Sequence, residues 1–159
     1  MKDYALILEA YTQVEKYYIN AIDDAVANND DLGYLKGLEL SRINEYAYFI
    51  LFWGQFESFI NDKAFEIEGV ESEHLGLMLR LGLIISPTHE FYAEVSKYYD
   101  WRCKLAHGEI QKFPELTLPV IFDKIEEIIE ATSNSTLPLG EVFPDFFNNA
   151  DNALFSKRG

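Results

Sequence analysis

The sequence predicts an all-α protein, a bundle of four to five helices. Apolar residues recur three and four residues apart along most of the chain, which is the spacing of one helix face. No segment alternates apolar and polar residues as a half-buried strand does, and no internal repeat is evident. The 159 residues, 48% of them apolar, suffice for one domain with a substantial core.

The first helix is predicted from about Asp3, which serves as its N-cap, to Val26. It ends where the turn-forming residues NNDDLG begin. The apolar positions at helical spacing are Ile7, Tyr11, Val14, Tyr18, Ile22 and Ala25.

The second helix is predicted over residues 40–67, and its first turns are apolar on every side. The run YAYFILFW, residues 46–53, leaves no polar face, so all sides of the helix must be covered there. Two interpretations stay open: the helix is the centre of a monomeric bundle, or a second chain covers its outer side in a homodimer. The aromatic share of 15% fits a large core, an interface, or both.

Three further segments complete the expected architecture. Ser72 is a possible cap for the segment EHLGLMLRLGLII. The third main helix is expected from Pro87 to about Ala106, and a fourth is capped by Thr117. Together these form a helical domain over residues 1–132. Residues 133–159 form a loop-like C-terminal tail that is expected to dock on the domain through Phe143, Phe146, Phe147 and Phe155.

Charge and cysteine content restrict the functional classes. With 13 basic and 27 acidic residues the formal net charge is −14, which repels phosphate backbones at long range. A nucleic-acid function therefore needs a local basic spot or a basic partner. Cys103 is the single cysteine, which favours a reducing compartment. No signal peptide or membrane-spanning run is evident, so a cytoplasmic protein without membrane contact is expected.

The stretch WRCKLAHGE, residues 101–109, carries the main candidate site. Arg102 falls on the apolar stripe of the third main helix, where a guanidinium needs carboxylates, phosphate or carbonyl groups as partners. His107 follows five residues later, and Gly108 is expected to end the helix. The spacing allows both side chains to reach one pocket. The other positions of the stripe are Phe91, Val95, Tyr98 and Leu105.

Arginine and histidine together suit the cleavage of RNA by its own 2′-hydroxyl group. An imidazole can move protons to and from the reacting oxygens, while a guanidinium can bind the phosphate at two points and stabilise the developing charge. Lys104 is a further candidate phosphate contact. The structural alternative is that Arg102 pairs with a core carboxylate such as Glu57 and that His107 only closes the helix.

The motif Arg102-Cys-Lys-Leu-Ala-His107 resembles the R-x4-6-H motif of HEPN domains, an all-helical superfamily rich in RNA-cleaving toxins and defence proteins. FILFWGQFESFIND, residues 49–62, is similar to the aromatic second helix of that family. The resemblance implies a homodimer with an RNA substrate and metal-independent endoribonuclease cleavage that leaves a 2′,3′-cyclic phosphate, with Arg102 and His107 as catalytic residues. It implies a toxin–antitoxin or antiviral context and, in many members, a neutralising partner protein. The alternative is a catalytically silent HEPN-like module for dimerisation or nucleotide binding.

Two positions depart from the family pattern, and no metal or other cofactor is expected. Cys103 stands where the family most often has Asn or Asp, and Glu109 stands where some toxin subfamilies have Tyr. Glu109 and the acidic surface oppose RNA binding. Cys103 and His107 are too few to hold a zinc ion, which normally takes three or four protein ligands. A reactive Cys103 thiol is the remaining alternative for that residue.

Overall fold

The computed structural model describes residues 4–108, 113, 116–135 and 138–140. Within them the chain forms five α-helices and one 3-10 helix, which confirms the all-α bundle. The only strand-like contact among the described residues is one bridge between Ile85 and Leu139. The helices are α1 (Tyr4–Ala27), α2 (Asp31–Glu68), the 3-10 helix (Gly69–His74), α3 (Leu77–Ile84), α4 (Glu90–Ala106) and α5 (Leu118–Ser133).

The chain divides into two compact units. The first unit is built from Met1–Phe56 and Asp100–Glu126, and the second from Glu57–Tyr99 and Glu127–Gly159. The first unit therefore contains α1, the first part of α2 and the end of α4, which carries the candidate site. The second unit contains the 3-10 helix and α3.

Helix α2 begins nine residues earlier than the sequence predicted, at Asp31. The turn before it is confined to three residues, and Asn29 has a positive φ of 52° within it. Asp30 then caps the helix, because its Oδ1 accepts the Gly33 N–H at 2.9 Å. Gly37 fits against α1, since a Cβ there would lie 2.7 Å from Cγ1 of Ile22. The glycine-containing segment after the turn is therefore helical because it packs closely on α1.

Aromatic side chains build the core of the first unit. The rings of Tyr4 and Phe52 lie 5.1 Å apart edge to face, and Phe52 stacks on Phe122 of α5 at 5.1 Å. Tyr11 meets Tyr48 edge to face at 5.7 Å, joining α1 to α2. Offset and edge-to-face pairs of this kind add stability beyond the apolar area that they bury. The aromatic surplus of the sequence is thus used, at least in part, within one chain.

The apolar run of α2, residues 46–53, is covered on only one side. Its inward residues are buried: Tyr46, Phe49, Phe52 and Trp53 are at most 6% exposed. On the outward side, Ile50 and Leu51 remain 38% and 53% exposed. The chain itself therefore supplies part of the cover that such a helix requires.

In the second unit Arg80 of α3 ties three segments together. Its Nε donates to the Ser72 carbonyl at 3.0 Å and its Nη2 to the Glu73 carbonyl at 2.9 Å. Its Nη1 donates to Oδ1 of Asn61 on α2 at 2.5 Å. Arg80 thus fixes the 3-10 helix against α2 and α3.

Two predicted helix starts are wrong. Ser72 caps no helix, since it lies inside the 3-10 helix and its hydroxyl donates to the Gly69 carbonyl at 2.8 Å. Helix α4 begins at Glu90, three residues after the predicted Pro87. The delay arises because Pro87 belongs to a turn and Nδ1 of His89 accepts the Phe91 N–H at 3.2 Å.

The fourth predicted helix corresponds to α5, and its start is confirmed. The Thr117 carbonyl accepts the Ile121 N–H at 3.1 Å, the bond expected of an N-cap residue. In the tail, Leu139 exchanges backbone hydrogen bonds with Ser86 and Ile84 at 2.7 and 2.9 Å. Asp3 and the four tail phenylalanines lie outside the described residues. No helix in the described part of the chain is long and apolar enough to cross a membrane.

Candidate functional site

The stripe predicted on α4 is present, and Arg102 lies on it. Phe91, Val95 and Tyr98 are at most 7% exposed. Arg102 and Leu105 continue the same side of the helix and are half-buried. Arg102 thus follows the predicted stripe, and it has the same half-buried state as its neighbours Cys103 and Lys104.

Helix α4 ends at the glycine that the sequence indicated. Gly108 has a φ of 76°, the left-handed conformation that closes many helices. The His107 N–H lies 3.1 Å from the Cys103 carbonyl and 3.2 Å from the Lys104 carbonyl, so the backbone of His107 still follows the helix. Its side chain is exposed to solvent. The imidazole thus stands in water at the C-terminal end of α4.

Arg102 and His107 project from different sides of α4. Five residues at 100° each place them about 140° apart around the helix axis and about 7.5 Å apart along it. The half-buried state of Arg102 and the exposed state of His107 agree with this separation. A ligand that touches both groups must therefore bridge this separation.

Lys104 shares the exposed side of the helix with His107 and has an acidic neighbour. Its Nζ lies 2.6 Å from Oδ2 of Asp100, one turn earlier, and both side chains are about half exposed. Exposed pairs of this kind are weak, so the lysine can exchange partners at low cost. Asp100 is a residue that the sequence reasoning missed, although the i, i+4 spacing of opposite charges could have revealed it.

Aromatic contacts hold the end of α4 against α2 within the first unit. The Trp101 ring lies 6.1 Å from that of Phe113, and Phe113 lies 5.8 Å from Tyr46 of α2. The Phe113 N–H also donates to the Tyr46 hydroxyl at 3.1 Å. Tyr46 and Phe113 are 67 residues apart, and no local sequence pattern links them. These contacts fix the backbone from which the site residues project.

A half-buried carboxylate, Glu45, positions the start of α5. Its Oε1 accepts the Leu118 N–H at 2.8 Å, and its carboxylate also accepts a hydrogen bond from the Tyr11 hydroxyl. Burial raises the pKa of Glu45, and nearby Glu15 raises it further, whereas the two hydrogen bonds oppose the shift. Burial and the same carboxylates also raise the pKa of Tyr11. This cluster is structural, because it joins α1, α2 and α5.

The remaining predicted residues are not gathered around the motif. Cys103 is a half-buried free thiol on α4. Glu57 is half-buried and belongs to the second unit. Glu109 lies outside the described residues. The described residues contain no group of three or more His, Cys, Asp or Glu side chains that could hold a metal ion.

Within the described part of the chain, neither of two shallow clefts is lined by a residue of the motif. The first, of about 340 Å³, lies in the first unit between α1 and α5. The second, of about 290 Å³, lies in the second unit, where Arg80 forms part of the wall. The arginine there is committed to its three hydrogen bonds, so this cleft is not a ready anion site.

Comparison with family models, curated protein sequences and solved structures finds no significant match to this chain.

Proposed function

We propose that this protein is a metal-independent endoribonuclease of HEPN type that acts in a toxin or antiviral-defence context. The observation that supports this most directly is the end of α4. There an exposed His107, directly before the Gly108 turn, follows a half-buried Arg102 by about 1.4 turns. Arg102 is the only arginine in the described part of the chain that is followed by a histidine within six residues.

The proposed reaction uses the two side chains in different roles. The 2′-oxygen of the substrate forms a bond to the adjacent phosphorus, and the bond from phosphorus to the 5′-oxygen breaks. One proton leaves the 2′-hydroxyl and one reaches the departing 5′-oxygen; His107 makes one of these transfers and solvent water makes the other. The Arg102 guanidinium binds the non-bridging phosphate oxygens and stabilises the charge that develops on them. The products carry a 2′,3′-cyclic phosphate and a 5′-hydroxyl.

The local charge of the site must overcome the acidic character of the whole protein. Lys104 can turn from Asp100 to a phosphate, because an exposed pair is held only weakly. A net charge of −14 still opposes the approach of RNA. Binding is therefore expected to weaken steeply as salt is added, since it depends on a few local cations. The protein is proposed to act as a homodimer and to be neutralised by a partner protein.

The alternative function is a catalytically silent module for dimerisation or nucleotide binding. The angular separation of Arg102 and His107 and the pairing of Lys104 with Asp100 favour it. Such a module would bind RNA or nucleotide at the end of α4 without cleaving it.

A cleavage assay in EDTA distinguishes the two functions. Wild-type protein is expected to cleave single-stranded RNA, and His107→Ala is expected to lose cleavage while keeping most of its RNA affinity. His74→Ala is a matched control, because His74 is an exposed histidine in the other unit. If wild type binds RNA but does not cut it, or if His107→Ala cuts as well as His74→Ala, the silent module is the correct function.

A further inference from the structure

The outward side of α2 carries a second regular apolar surface, which we call the α2 seam. The seam consists of Leu40, Ile43, Ala47, Ile50 and Gly54, spaced alternately three and four residues apart. The three large residues are 38–43% exposed, and the two small ones are exposed as well. A 3–4 alternation along one face is the spacing at which two helices pack side by side.

Gly54 has no explanation within its own chain. A Cβ built at Gly54 meets nothing within 4 Å, whereas one at Gly37 of the same helix would collide with α1. A glycine inside a helix destabilises it relative to alanine. The site therefore has a notch that the chain does not fill. Close approach of another backbone or side chain is the usual reason for such a glycine.

The α2 seam is the part of the surface where charge opposes a second copy of this chain least. Between Leu40 and Gly54 the only charged residues are Arg42 and Glu45. Both are half-buried, and Glu45 is engaged with the start of α5. Two chains with a net charge of −14 repel each other over most of their surface. An uncharged apolar face is where they can approach with the least repulsion.

The side of α2 that carries the seam supplies about half of the apolar surface that a stable dimer needs. Five large apolar side chains on this side are 38–78% exposed: Leu32, Leu40, Ile43, Ile50 and Leu51. Together they equal about two and a half fully exposed side chains, or on the order of 250 Å² of apolar surface. A standard interface buries about 800 Å² on each partner, somewhat more than half of it apolar.

We infer that two copies of this chain pair through the α2 seam, with their α2 helices antiparallel. In this register Ile43 packs into the notch at the partner's Gly54, and Ile50 packs on the partner's Ala47. Ile43 and Ile50 then each face a small residue of the partner, which fills the space evenly at the centre of the seam. A parallel pairing would instead place like residues opposite each other. Gly54 and Ala47 would then leave voids, and Ile43 and Ile50 would crowd against their counterparts. The two-fold symmetry makes every contact occur twice.

Disulfide trapping tests the register. Ile43→Cys and Gly54→Cys are made separately in a Cys103→Ser background, so that no native cysteine interferes. Mixing the two is expected to give a disulfide-linked heterodimer upon mild oxidation, whereas each alone stays largely unlinked. In the antiparallel pair, like positions lie roughly 16 Å apart along the helix axis, too far for a disulfide. Linkage of each variant to itself and not to the other would overturn the antiparallel register.

Sedimentation equilibrium tests the surface independently of any enzymatic activity. Wild type is expected at about twice its 18.4 kDa chain mass at micromolar concentration. Ile50→Glu is expected to raise the dimer dissociation constant by roughly a hundredfold or more, because the two-fold places two carboxylates in the seam. Val120→Glu is the matched control, since Val120 is a 63% exposed aliphatic residue of α5 in the same unit. A monomeric wild type, or a dimer that Ile50→Glu leaves unchanged, would overturn the inference, whereas an absence of RNA cleavage would leave it intact.

Discussion

Replacing Arg80 with alanine should destabilise the protein without affecting the candidate site. The substitution removes three hydrogen bonds from one guanidinium, to Ser72, Glu73 and Asn61. A hydrogen bond to a charged group contributes about 1.5–3 kcal/mol, but the half-exposed position allows water to replace part of it. We therefore expect a loss of about 3 kcal/mol in the free energy of unfolding. For a chain of this size that corresponds to a fall in Tm of about 6–12 °C.

Urea unfolding followed by circular dichroism measures this loss directly. Lys97→Ala is the control, because it removes a surface ion pair with Glu94 and should change the free energy of unfolding by less than about 1 kcal/mol. Arg102→Lys should lose RNA cleavage and change Tm little, which is the opposite of what is expected for Arg80→Ala. Cleavage is lost because an ammonium group lacks the two-point contact with phosphate. If Arg80→Ala loses less than the Lys97 control, the hydrogen bonds of Arg80 do not hold the second unit together.

Three further outcomes are expected. Gly37→Ala should lower the free energy of unfolding by about 1–3 kcal/mol, because the added methyl group overpacks the contact with α1. Gly54→Ala should raise the free energy of unfolding of the dilute monomer by about 1 kcal/mol, because nothing lies near the added methyl group. Thermal melts of both variants measure this contrast. The pKa of Glu45 is raised in the folded state, so protonation of Glu45 stabilises the fold. The free energy of unfolding of wild type, relative to that of Glu45→Gln, should therefore increase as pH falls from neutral toward the ordinary glutamate value of 4.5. A pH series of thermal melts that shows no such increase would refute this prediction. Asp100→Asn should release Lys104 and strengthen RNA binding several-fold at low salt, with the gain disappearing at high salt; an unchanged dissociation constant in fluorescence anisotropy would rule out Lys104 as a phosphate contact.

Helical periodicity predicted most of the fold because it reports which residues are buried. The bounds of α1 and α5 follow from it directly. The start of α2 was missed because Gly33 and Gly37 are poor helix formers. Gly37 packs closely on α1, a tertiary contact that the local sequence does not encode.

The candidate site was predicted in part. The apolar stripe indicated a half-buried Arg102, and Gly108 marked the helix end. The pair of Lys104 with Asp100 is local and could have been found from spacing. The contacts of Phe113 with Tyr46 and Trp101 could not, because they join segments that are distant in sequence.

Analysis of the RNA products tests the proposed function most directly. Wild-type protein is incubated in EDTA with an RNA oligonucleotide, and with the same oligonucleotide carrying a 2′-deoxy nucleotide at the cut site. Cleavage by Arg102 and His107 predicts fragments that end in a 2′,3′-cyclic phosphate, with the 2′-deoxy position left intact and no products from His107→Ala. Cleavage at the 2′-deoxy position, or equal product formation by His107→Ala, would contradict the proposed mechanism.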